Sequence, residues 1–227
     1  MKRTSKRIPL SKRILPDYSS AEEIANMITH IVGGALGITA TVLCVIKASL
    51  YGQALDIIGA VIYGVSMTAL YAMSSIYHGL RTNMSKKVMQ VLDHCMIYFL
   101  IAGTYTPILL SAFLPVYPAI AWGLLTLEWG LALLAATLTA IDLKKYNVFS
   151  MICYIFMGWA IIFFIPQAHV AMTGAGFYLT LAGGITYTIG AILYGIGEKV
   201  HWMHTIFHIF VVAGSLLQFL SILLYVL

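Results

Sequence analysis

Charge is scarce in this chain. Of 227 residues, 8 are acidic and 13 basic, so charged side chains make up 9% against 61% hydrophobic, and mean hydropathy is +0.92. No soluble core could hide that balance, which excludes a soluble globular fold. Cysteine is also scarce. Cys44, Cys95 and Cys153 stand alone in apolar stretches with no C-x-x-C spacing. That excludes a disulfide framework, gives no support to a thiolate metal site, and leaves the three as small packing residues. Short alternating segments are missing too, so a membrane β-barrel is excluded.

What is present is a series of long apolar runs. A bilayer-spanning helix needs about 20 mainly apolar residues. Seven runs satisfy this: Ile24–Ala48, Ala54–His78, Val88–Phe113, Pro118–Ile141, Val148–Pro166, Phe177–Gly197 and Val200–Leu227. The expected fold is an all-α integral membrane protein, a seven-helix bundle (residues 24–227) preceded by a basic arm (residues 1–23). The first apolar run is a full span with no cleavage site after a short core, so it reads as a retained helix, not a removed signal peptide.

Basic residues orient the bundle, because Lys and Arg in short loops stay cytoplasmic. Lys2, Arg3, Lys6, Arg7, Lys12 and Arg13 precede the first helix. Arg81, Lys86 and Lys87 follow the second, Lys144 and Lys145 the fourth, and Lys199 the sixth; only Lys47 falls on the other side. The amino terminus is therefore expected in the cytoplasm and the carboxyl terminus outside. The net charge of +5 needs no nucleic acid to explain it. It orients the chain and draws the arm toward anionic lipid headgroups, so membrane lipids are the expected partners.

The loops are short. Leu114–Pro118 reads as one tight turn and Gly174–Gly176 as another. Gly33, Gly34, Gly37, Gly183 and Gly184 are expected at close helix contacts, and Pro107 is expected to kink the third helix.

Several ionisable or polar groups sit inside the apolar runs, where they are expensive: Ser74 and His78, then Asp93, then His204 and His208. At about 1.5 Å rise per residue, all fall within two or so turns of the cytoplasmic boundary. Residues four apart share a helix face, so His204 and His208 can grip one ion together, while Ser74 and His78 face one site. The three imidazoles, His78, His204 and His208, suit tetrahedral zinc with an open fourth position. His201 is expected to be solvated, His94 to point about 100° away from Asp93, and His169 to lie in an outer loop. Glu23, Asn26, Thr29 and His30 form a polar stripe on the first helix, expected to cap and to hydrogen-bond neighbouring helix ends in preference to ligating metal. Glu128, midway along the fourth helix, has no partner legible from sequence.

These residues resemble the hemolysin III family, the bacterial branch of the progestin and adipoQ receptor superfamily. Glu23-x-x-Asn26-x-x-Thr29-His30 is similar to its first motif, Ser74-x-x-x-His78 with Asp93 to its second, and His204-x-x-x-His208 to its third. Ala102-Gly103-Thr104-Tyr105-Thr106-Pro107 is also similar to bacterial members. The resemblance covers nearly the whole chain and implies an amino-terminus-inside bundle in the bacterial plasma membrane. It implies zinc on His78, His204 and His208, with Asp93 and Ser74 beside the reacting water. His201 departs from the family pattern, which has a smaller polar residue there. The motif set is similar to that of alkaline ceramidases, which hydrolyse a lipid amide, whereas the family name comes from a cytolytic phenotype and members have been linked to membrane fluidity. Three functions follow as expectations: a zinc-dependent lipid amide or ester hydrolase with Asp93 as base and Ser74 as orienting group, a non-enzymatic regulator with structural zinc, and a pore-forming cytolysin. The last is disfavoured, because the polar residues gather at one end of the spans.

Overall fold

The computed structural model describes residues 9–197 and 200–227. The expectations placed on Lys2, Arg3, Lys6, Arg7 and Lys199 lie outside the described residues. Among the described residues the chain is helical throughout, and seven helices are long and apolar enough to cross a membrane: α1 (Ser20–Tyr51), α2 (Ala54–Gly79), α3 (Met84–Phe113), α4 (Pro118–Asp142), α5 (Asn147–Ala171), α6 (Thr173–Gly197) and α7 (Met203–Val226). A short 3₁₀ turn, Leu10–Lys12, precedes them.

α1 begins four residues earlier than apolar content alone suggests, so Glu22 and Glu23 belong to its first turn and not to the arm. The reason is local: Ser19 and Glu22 form a reciprocal capping box that satisfies two otherwise orphaned N–H groups. The reversal between α5 and α6 also differs from expectation. Gly174–Gly176 lies inside α6, and the chain turns at Thr173, whose φ is 64°. Gly176 serves packing instead, since a Cβ there would sit 2.7 Å from Tyr225 Cβ.

Pro107 neither ends nor breaks α3. The helix passes from α to π winding over Ile108–Phe113, which absorbs the hydrogen bond that proline cannot make. α5 is irregular as well, with a 3₁₀ stretch at Ala160–Phe164 between two α segments. Gly33 and Gly37 lie where α1 meets Tyr71 and Thr68 of α2, too close for any side chain, and Gly183 abuts Gln218 in the same way. Gly34 and Gly184 have room, so the close-contact reading does not extend to them.

α1 packs closely against both α2 and α7, α2 against α3, α3 against α4, and α6 against α7. The two helices carrying His78 and His204 are thus held together through α1. α3 faces them across an internal cavity of about 190 Å³. Cys44, Cys95 and Cys153 are buried free thiols.

Candidate metal centre

His78 sits in the last turn of α2, and His204 and His208 occupy successive turns at the start of α7. All three are buried, and each offers one ring nitrogen within 4.8 Å of the others'. Their ring centroids are 5.3 Å (His78–His204), 5.0 Å (His78–His208) and 4.6 Å (His204–His208) apart. The triad is the group expected from sequence.

The orientation of the rings comes from α1. His78 Nδ1 donates to Glu23 Oε2 at 2.7 Å, and Lys86 Nζ donates to Glu23 Oε1 at 2.7 Å. A carboxylate only accepts, so this contact places the His78 proton on Nδ1 and leaves a lone pair on Nε2. His208 Nδ1 donates to the Asn26 carbonyl at 3.2 Å and lies 3.4 Å from Thr29 Oγ1, which fixes the same tautomer by the same logic. Asn26 also accepts from Thr205 through its side chain at 2.6 Å. His30 stacks on His208 with centroids 3.6 Å apart. Glu23, Asn26 and Thr29 thus make hydrogen bonds of the kind expected of the stripe, whereas His30 only stacks, with no hydrogen bond from either ring nitrogen among the described residues.

Among the described residues, His78 Nε2 and His204 Nε2 are buried without a hydrogen-bond partner. Orphaned polar groups of this kind cost on the order of 1–3 kcal/mol each, and a cation bound between them would supply the missing partner. Imidazole donors, buried lone pairs and carboxylate or carbonyl supports behind the rings are the donor set and outer shell of a zinc-type site, so the residues present fit a metal ion.

Asp93 and Ser74 line the same cavity as His30, His204 and His208. Ser74 is buried, and the Asp93 side chain is 16% exposed. His94 was expected to turn away, yet it lines this cavity too. Its Nδ1 donates to Gln90 O at 2.8 Å, and Tyr194 donates to its Nε2 at 3.2 Å. One helical residue step rotates a side chain without removing it from a cavity this broad. His201 is exposed as expected, 3.3 Å from Glu22, and His169 is exposed beside Phe177 and Tyr178.

Sequence reasoning missed three neighbours of the site. Glu22 accepts the Trp202 N–H at 2.7 Å and so ties α1 to the start of α7. Lys86, counted only as a topogenic charge, is buried against Glu23. Tyr18 stacks on His204 at 4.9 Å. The Glu22–Glu23 pair before an apolar run was the available signal for the first two, and nothing local marks Tyr18. Glu128 is fully buried, and neither carboxylate oxygen has a hydrogen-bond partner among the described residues.

Seven apolar helices with a buried histidine triad near one end define a multi-pass membrane protein with a candidate intramembrane metal centre. Residues 18–219 match the family model described as haemolysin-III related, and the chain belongs to that family. It is 42% identical over 206 residues to Hemolysin-3 of Bacillus cereus, covering 91% of this chain and 92% of the relative. It is 39% identical over 208 residues to the Hemolysin-3 homolog of Bacillus subtilis strain 168, covering 92% and 96%. A more distant relative, the human monocyte to macrophage differentiation factor, is 25% identical over 224 residues, covering 95% and 88%.

Proposed function

We propose that the protein is a zinc-dependent hydrolase of a lipid amide or ester, acting within the membrane near the cytoplasmic face. The observation that carries this reading is that His204 and His208 of the histidine triad line the same cavity as Asp93 and Ser74. Zinc, when held by His78, His204 and His208, would polarise a carbonyl and acidify a water. The chain's own residues supply the rest. Asp93 is placed to accept a proton from the attacking water and return it to the leaving amine or alcohol, and Ser74 to orient that water or Asp93.

The cavity favours a lipid as the substrate. Along α3 its wall runs from Gln90 to Tyr105, about 22 Å at the usual helical rise, and Leu, Ile and aromatic side chains along it suit an acyl chain. α5 and α6 both contribute to the wall, while their packing is concentrated at Ile165–Ala171. That leaves a route for a chain to enter sideways from the bilayer. Among the described lining residues there is no Lys or Arg. A phosphate would find no counter-charge there, which favours a neutral ceramide-like lipid over a phospholipid.

The test is fatty-acid release from ceramide-like and phospholipid substrates by zinc-loaded protein. Asp93→Asn should keep its metal and lose at least about a hundredfold in turnover, the scale of general-base catalysis. Ser74→Ala should lose less. Equal release by wild type and Asp93→Asn removes Asp93 as the base. No release above a metal-stripped control across a broad lipid panel hands the site to the alternative, a membrane regulator whose zinc pins helices together. The cytolytic reading suggested by the name of the Bacillus cereus relative draws no support from the site.

A further inference from the structure

The segment between the 3₁₀ turn and α1 does not hang free. Its start is held at α3, where Lys87 Nζ donates to Ser11 O at 2.6 Å. Arg13 then reaches the end of α4, donating to Ile141 O at 3.3 Å and lying 3.8 Å from Asp142, with both side chains more than nine-tenths buried. From there the chain passes back across the bundle. Pro16 and Tyr18 line the mouth of the cavity, and the Tyr18 ring lies nearly parallel to His204, at 21° and 4.9 Å, with His78 6.0 Å away. Ser19 ends the crossing by capping α1.

We propose that residues 11–19 form a lid over the histidine end of the cavity, latched to α4 by Arg13 and closed by Tyr18 on His204, which controls the passage of water-soluble species to the site. The lid is independent of the hydrolase reading, because a regulator with the same histidines would need the same access control. Its physics is that of a local opening equilibrium. The contacts that hold the segment include the Lys87–Ser11 and Arg13–Ile141 hydrogen bonds, the Arg13–Asp142 ion pair and the Tyr18–His204 stack, and a short segment held by such surface contacts opens more readily than the helices unfold. The closed form keeps water from the triad and places an aromatic face against a ligand imidazole. The open form admits an ion or a polar product, with Ser19, the cap of α1, as the hinge on which the segment moves.

The experiment measures access directly. With Cys44, Cys95 and Cys153 replaced by Ala, Gln90→Cys places one thiol in the cavity wall beneath the lid. Detergent-purified protein is treated with a charged, water-soluble thiol reagent and the labelling rate is followed. The parent should label slowly. Tyr18→Ala and Arg13→Gln should each label several-fold to about tenfold faster, the change expected from losing an aromatic pair or an ion-pair latch from an opening equilibrium. Tyr18→Phe, which keeps the stack, should label more slowly than Tyr18→Ala. Equal rates in all four proteins, or a parent that already labels as fast as a free thiol, overturn the lid. Gel filtration checks folding, and if Tyr18→Ala aggregates, Arg13→Gln decides alone, since Arg13 lies at the α4 end and away from the histidines. Neither readout depends on turnover or on bound metal, so loss of the hydrolase reading leaves this test intact.

Discussion

The candidate ligand histidines are arranged by their neighbours as much as by their own spacing. Glu23 and the Asn26 carbonyl take the Nδ1 protons of His78 and His208, which leaves the Nε2 atoms of both rings as the candidate metal donors. Outer partners of this kind are worth about 10–100-fold in metal affinity. Purified protein should hold one zinc per chain by elemental analysis, and His204→Ala should lose most of it, because the remaining imidazoles provide too few bonds. Glu23→Gln should bind more weakly by that 10–100-fold range in a chelator competition, while His169→Ala, remote and exposed, should bind as the parent does. Full occupancy in His204→Ala would rule out the ligand assignment. Equal affinity in Glu23→Gln would show that Lys86 and not His78 is the partner that matters to Glu23.

At the level of the element, ends and breaks decide more than propensity. α1 is set by its capping box, α3 tolerates Pro107 by widening to π winding, and α6 begins at a threonine with φ of 64°. That last feature is costly, because a β-branched residue in the left-handed region is strained by about 1–3 kcal/mol. Glycine relieves the strain at the expense of roughly 0.5–1 kcal/mol of chain entropy. Thr173→Gly is therefore expected to leave stability unchanged or raise it by about 1 kcal/mol, read as an unchanged or higher melting temperature in detergent. A marked drop would mean that the threonine side chain contributes more than its backbone costs.

The whole molecule has two unlike ends. Arg13, Arg81, Lys86, Lys87, Lys144 and Lys145 gather at the end that holds the histidines, whereas Lys47 sits at the other, donating to Leu223 O. By the positive-inside rule the histidine end is expected in the cytoplasm. A reporter fused after Leu227 should then be extracytoplasmic, and one inserted in the loop between α2 and α3 cytoplasmic. Both reporters on one side would contradict either the span count or the orientation. The same asymmetry supports a lid made from the basic arm, since headgroup attraction keeps that segment near the surface where it acts.

Much of this was legible in the sequence, for a definite reason. A bilayer demands continuous apolar length, so the span count follows from composition alone, and polar residues in such spans are so costly that Ser74, His78, Asp93, His204 and His208 declare themselves as a group. Helical period then places His204 and His208 on one face. Periodicity is blind to what lies between helices. That α1 joins the histidine-bearing helices, that Glu23 pairs with both His78 and Lys86, that His94 turns into the cavity and that Tyr18 covers His204 are consequences of which faces meet. Those contacts involve residues as far as 186 positions apart, a distance over which no local pattern carries information, and only the packed tertiary structure decided them.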